Sequence, residues 1–146
     1  MLSEGRVRQD LQAAMKARDM RTVYVLRGIL AAIGNRKIEK GVAELDDREI
    51  ASLVQREAKK REEAEAFARS AARAELVEQN AAERAILAGY LPRALDDAEL
   101  SKLFGCWLTE GLTGMGPLMA RLKERHAGEY DGKRASDIAR NLLAGR

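Results

Sequence analysis

Apolar residues recur along this chain at intervals of three and four and almost nowhere in alternation, the pattern of amphipathic helices rather than strands. Ser3 stands where a first helix would be capped, with Leu2, Val7, Leu11 and Met15 on one side, and that helix is predicted to run to about Arg18. Asp19 caps a second helix that reaches about Lys40 and stops at Gly41, with Val23, Leu26, Leu30 and Ile33 as its inward face. Gly28 and Gly34 lie inside it, each costing about 1 kcal/mol relative to Ala, and are read as points of close helix–helix approach. Asp46 and Glu49 spell a D-x-x-E capping box ahead of a third helix. Its Ile50, Leu53, Val54, Ala58 and Phe67 are expected to point inward, with Glu57 and Arg61 paired one turn apart on a densely charged outer face. After a soft spot at residues 69–73, a fourth helix is predicted to about Ala88, ended by Gly89.

Tyr90-Leu91-Pro92 reads as a boundary, because proline blocks helix continuation and pushes the preceding residue toward extended backbone. The expected organisation is therefore all-α, with a bundle of about four helices over residues 1–92 and a small three-helix tail over residues 93–146. In the tail, Asp96 and Glu99 spell a second capping box for a helix over about residues 97–110. Pro117 sits in the first turn of a short helix ending near His126, and a last helix over about residues 133–143 turns Ile138, Leu142 and Leu143 inward.

Composition supports helices, since aromatics are only 4% of the 146 residues while charged residues are 34%. The net charge of +3 is unevenly spread. Residues 1–40 hold nine Lys and Arg against four Asp and Glu; residues 41–94 hold nine against eleven; residues 95–146 hold eight against eight. The basic excess thus lies in the first two helices, which points to an anionic partner or to a solvated helix surface. One cysteine cannot form an internal disulfide, and no apolar run reaches the length of a membrane span or a secretory signal, so a cytoplasmic location without membrane association is expected.

The chemistry-bearing residues do not assemble into a catalytic constellation. His126 has no second histidine or paired cysteine with which to hold zinc and is read as a helix-end charge. Cys106 and Trp107 are read as core residues. The glycine-rich run from Gly111 to Gly116 lacks the Gly-Lys-Ser/Thr ending of a phosphate loop and is read as helix stop, turn and helix start. No catalytic residue, metal site or cofactor is therefore expected. The candidates for contact with a phosphate backbone are Arg27, Arg36 and Lys37 on the second helix, Arg121, Lys123 and Arg125 on the short tail helix, and Lys133 and Arg134 opening the last one.

Several phrases are also similar to a known family. AMKARD at residues 14–19, LRGILAAI at 26–33, KKREEAEAF at 59–67, Ile86-Leu87 followed by Tyr90-Leu91-Pro92, and Met115-Gly116 with Met119 and Asp131-Gly132 together resemble the GatB/YqeY family over nearly the whole chain. The resemblance implies a helical bundle with a helical tail domain, like the C-terminal part of the B subunit of the tRNA-dependent amidotransferase. It implies binding of tRNA or another RNA, with the tail in contact, and a family-level association with carbon–nitrogen ligase activity using glutamine as amide donor. The catalytic cradle of that subunit lies upstream of the shared region, so no catalysis by this chain alone is expected. Arg93-Ala94-Leu95 replaces the usual Lys-Gln-Leu, Thr113-Gly114 a usual Lys-Asp, and Pro117 a common Lys, which removes charge from the tail. A protein partner in the translation machinery, or an adapter role without nucleic acid, is the competing expectation.

Overall fold

A computed structural model describes residues 2–145 and contains seven helices and no strand among them. They are α1 (Glu4–Lys16), α2 (Met20–Lys40), α3 (Asp47–Ser70), α4 (Ala74–Ala88), α5 (Asp97–Thr109), α6 (Met115–His126) and α7 (Gly132–Ala144). The chain divides into two compact units, Met1–Leu91 and Pro92–Arg146, holding four and three of these helices. The starts follow the acidic and hydroxyl caps: Ser3, Asp19 and Asp46 each accept a backbone N–H from the residue three positions on. The box at Asp96 and Glu99 is complete, each side chain accepting the other's backbone N–H at 2.8 and 2.9 Å. At Asp46 only half of it forms, because the Glu49 carboxylate takes Lys40 Nζ at 2.7 Å instead.

In the first unit α1 packs on α2, α3 pairs most extensively with α4, and α2 touches both α3 and α4. Val7 from α1, Val25, Leu26, Ile29 and Ile33 from α2, Ile50, Ala51 and Val54 from α3, and Leu87 from α4 make the buried core. Each fully buried Leu or Ile contributes about 1.5–3 kcal/mol relative to exposure. Two inward expectations fail. Met15 is exposed, because the seam of α1 passes through Val7, Leu11 and Ala14. Phe67 is 81% exposed, because the buried side of α3 continues after Ala58 through Arg61, Glu65 and Ala68. Gly28 and Gly34 do not mark close approach either: a Cβ at either would meet no atom within 4 Å.

Beyond Ala58 on α3 and before Ile86 on α4 the hairpin is held by charges rather than by the core. Arg84 Nη2 lies 2.8 Å and Arg69 Nη2 3.1 Å from the carboxylate of Glu65, which is 7% exposed. Arg61 Nε lies 2.9 Å from Glu83 Oε2, but its N–H is not aimed for a hydrogen bond, so that contact is coulombic. Arg61 therefore serves Glu83 rather than Glu57, which takes Lys60 at 3.2 Å. At the far end of α4, Tyr90 donates to Asp10 at 2.5 Å and lies under the Arg6 guanidinium, 5.1 Å from ring centroid, fastening α4 to α1. Burial and then the Asp10 hydrogen bond push the Tyr90 hydroxyl well above the ordinary tyrosine range.

The second unit closes over Leu100, Phe104, Trp107 and Leu108 from α5, Leu118 and Leu122 from α6, and Ala135 and Ala139 from α7. Phe104 and Trp107 meet edge-on, 5.9 Å between centroids at 67°. Ile138, Leu142 and Leu143 pack against this core from its margin, while the small Ala135 and Ala139 are the residues of α7 with no exposed surface. Cys106 is exposed, which corrects its expected place in the core.

Four helices end in the same bonded turn, with two consecutive N–H groups reaching back to carbonyls five and three residues earlier. Asp19 N to Ala14 O with Arg18 N to Met15 O closes α1, and Val42 N to Lys37 O with Gly41 N to Ile38 O closes α2. Arg73 N to Ala68 O with Ala72 N to Arg69 O closes α3, and Leu112 N to Trp107 O with Gly111 N to Leu108 O closes α5. The turn needs a left-handed residue. Gly41 and Gly111 supply it at no steric penalty, whereas Arg18 and Ala72 adopt φ of 57° and 56° with a Cβ in place. Ala72→Gly and Arg18→Gly are accordingly expected to raise stability by about 0.5–1 kcal/mol each, and Gly41→Ala to lower it by at least as much. Urea unfolding of the purified variants measures this, and a loss of stability in Ala72→Gly would refute it.

Candidate nucleic-acid interface

The predicted basic residues are used in different ways. Arg27 is exposed and makes no ion pair among the described residues. It borders a hollow of about 430 Å³ with Tyr24, Gly28 and Arg61, beside Met20 and Val23. Arg36 pairs with Glu39 at 3.1 Å and borders an adjoining hollow of about 390 Å³ between α2 and α3, with Arg56 and Lys60 on its other wall. Gly28 belongs to both hollows, and its missing side chain leaves the ground between them open. Lys37 does other work. Its Nζ reaches both oxygens of Glu4 at 3.1 and 3.2 Å and ties α2 to the first turn of α1.

In the second unit, Arg121 stacks over Trp107, 5.7 Å from the ring centroid, and pairs with Glu110 at 2.8 Å, roofing the core. Arg134 forks onto both oxygens of Asp97, with Nη2 3.0 Å from Oδ2, joining α7 to α5. The hydrogen bond from Arg134 holds the Asp97 carboxyl below its ordinary range. Lys123, Arg125 and Lys133 are exposed and form no ion pair among the described residues. Lys123 and Arg125 are two positions apart on α6 and so project from different sides of it.

The residues passed over by the sequence pattern are Tyr24, Arg56, Lys60 and Arg61. Tyr24 is 61% exposed beside Arg27, an aromatic face next to a free cation. The signal for Arg56 and Lys60 was their one-turn spacing on α3, opposite the small-residue side Gly28, Ala31 and Ala32 of α2. Further polar contacts among the described residues lie at the histidine and the cysteine. His126 Nδ1 lies 2.6 Å from Glu129 at the end of α6, and Cys106 Sγ is 4.0 Å from Glu110. Among the described residues no group of three or more His, Cys, Asp or Glu is arranged to hold a metal ion, and no helix is long and apolar enough to cross a membrane.

The described residues define an all-helical protein of two compact units. A family model described as Yqey-like protein matches residues 4–143, and the chain belongs to that YqeY-like family. No curated protein gives a significant match to it.

The Lys37 contact has a pH consequence. Burial alone would raise the Glu4 carboxyl, but hydrogen bonds from Lys37 and then Arg8 outweigh it and hold the carboxyl below its ordinary value of 4.5. A lowered folded-state pKa means the stabilisation is complete above 4.5 and is lost as pH falls through the folded value. Glu4→Gln is therefore expected to destabilise the protein near neutral pH, by roughly 1 kcal/mol, and to match the wild type in strongly acidic buffer. Urea midpoints of the two proteins across pH check this; a gap that widens on acidification would contradict it.

Proposed function

We propose that this protein is an RNA-binding accessory module, with tRNA as the RNA that the family resemblance indicates, and that it performs no catalysis on its own. The observation that carries the reading is the pair of adjoining hollows around Gly28, one bordered by Arg27 and Arg61, the other by Arg56 together with the ion pairs Arg36–Glu39 and Lys60–Glu57. Their cations line a path along α2 and α3 on which a phosphate backbone can lie, and Tyr24 offers a face for an unstacked base. Arg27 and Arg56 have no ion pair to break among the described residues, so they form the primary phosphate contacts. On the second unit, taken by itself, Lys123, Arg125 and Lys133 are exposed cations without an ion pair among the described residues, and a phosphate backbone would meet Lys123 and Arg125 on different sides of α6. Contacts of this kind position an RNA without reading its sequence.

The relation to glutamine-dependent amidotransferase then rests on shared RNA handling. Activation by ATP and delivery of ammonia would come from other chains, with this protein as a component that holds the RNA. A second reading, an adapter that binds a protein of the translation machinery without nucleic acid, is favoured by one observation: the exposed apolar surface around Phe67.

Electrophoretic mobility shift with tRNA at low salt tests the first reading. Wild-type protein is expected to shift tRNA at micromolar concentration, with affinity falling steeply as salt rises. Arg27→Glu and Arg56→Glu should each weaken binding about tenfold, and replacing either with Ala should reduce the salt slope by about one. No shift at low salt would refute RNA binding. Purified protein supplied with glutamine, ATP and Glu-tRNA(Gln) is expected to be inert, and amide product in that mixture would overturn the non-catalytic role.

A further inference from the structure

The outer part of the α3–α4 hairpin carries a groove of about 690 Å³ whose apolar lining is Ala64, Phe67, Ala68, Ala71 and Leu76. Phe67 stands 81% exposed and Leu76 38% exposed at its side; the other apolar lining residues are alanines, of which Ala68 is buried and Ala64 and Ala71 are exposed. Lys60, Ala64 and Phe67 on α3 and Ala71 at its C-cap follow one another at steps of four, three and four, the spacing of a coiled-coil seam. A seam that α1 and α2 do not cover, with one large knob over small neighbours, is built to receive another helix.

We infer that the occupant is a second copy of this chain, docked hairpin to hairpin about a two-fold axis beside Phe67. Two features favour a copy over an unrelated helix. First, the surface holds both halves of the fit: Phe67 is the knob, and the lining alanines are the hole in which the partner's Phe67 would sit. Second, its charges are self-complementary. Glu63 lies toward the Lys60 end of the groove and Arg73 at the turn end. Neither makes an ion pair among the described residues. A two-fold axis sets the Glu63 end of each copy against the Arg73 end of the other, giving two equivalent Glu63–Arg73 pairs. Lys60, which shares the Glu63 end, is already neutralised by Glu57 at 3.2 Å, so it adds little repulsion to the incoming Arg73. Alanines let the two α3 helices approach closely. Two helix tips form a small interface, so the association belongs to the transient, micromolar class. It leaves Arg27 and Arg56 open, so each dimer would present two basic faces to RNA.

Sedimentation velocity on full-length, nuclease-treated protein from low micromolar to submillimolar concentration tests the inference. The weight-average mass is expected to rise from monomer toward dimer. Phe67→Asp should hold it at monomer throughout while leaving helix content by circular dichroism near that of the wild type, because Phe67 is 81% exposed and adds little to the core of one copy. Glu63→Arg should weaken dimerisation about tenfold, as loss of two exposed interface pairs with added repulsion implies, and Glu63→Arg combined with Arg73→Glu should restore it. Three outcomes overturn the inference: a wild type that is monomeric at every concentration, a dimer that survives Phe67→Asp, or a double variant no better than Glu63→Arg. Since RNA has been removed, failure here leaves the RNA-binding reading standing, and failure of RNA binding leaves the dimer standing.

Discussion

Glu65 and Glu83 are carboxylates with almost no access to water, and each is held by an arginine from the facing helix: Glu65 on α3 by Arg84 on α4, Glu83 on α4 by Arg61 on α3. Such pairs add little net stability against a well-packed apolar alternative, but stripping one partner from a buried charge costs about 3–5 kcal/mol. This asymmetry makes them devices of register. The facing surfaces of α3 and α4 are rich in alanine and would tolerate sliding, yet a slide by one turn would take each carboxylate from its cross-helix arginine, leaving Glu65 only Arg69 of its own helix. The crossed pairs therefore set which residue of α4 stands opposite which residue of α3. Once that is set, the connection is confined to residues 71–73, and Ala72 must take a left-handed conformation to close it. The same register brings the far end of α4 to α1, where Tyr90 finds Asp10.

This constraint also explains what could be read from the sequence. Helix starts were legible because their signals are local: Ser3, Asp19, Asp46 and Asp96 cap helices within three residues of themselves. Gly41 and Gly111 marked ends for the same reason. The turn after Ser70 showed only as a weak spot, because Arg-Ser-Ala-Ala-Arg contains no glycine and its stop is imposed by ion pairs formed farther along both helices. Phe67 was misplaced because a hydrophobicity pattern follows apolar residues, whereas the buried side of α3 turns ionic at Arg61 and Glu65. The pattern stepped across to the next large apolar residue, on the wrong face. Met15 failed similarly, since the seam of α1 ends on the small Ala14 rather than on its larger neighbour.

For the interface, the segregation of basic charge into the first helices was legible, but which cations are occupied was not. Lys37, Arg121 and Arg134 pair with Glu4, Glu110 and Asp97 across 33, 11 and 37 positions of sequence. No local spacing announces partners that distant. Arg56, Lys60 and Arg61 were hidden by the opposite error. They sit in a run of alternating charge that looks self-neutralised, yet Arg56 makes no ion pair among the described residues, and Arg61 leaves the run altogether to serve Glu83.

The two surfaces meet at Arg61, which borders the hollow beside Arg27 and also neutralises Glu83. A phosphate entering that hollow would compete for the same guanidinium. An exposed ion pair returns about 1 kcal/mol at most, whereas Glu83, 4% exposed, would lose its cation at a cost of about 3–5 kcal/mol. The loss at Glu83 outweighs the gain at the phosphate, so Arg61 is expected to stay with Glu83 and would act on a bound RNA only through its field. On the proposed RNA-binding reading, direct contacts would then fall to Arg27 and Arg56, which hold no ion pair among the described residues. The division follows from burial: the cations that build the fold are withdrawn from the surface, and those left over face solvent where a phosphate backbone can reach them.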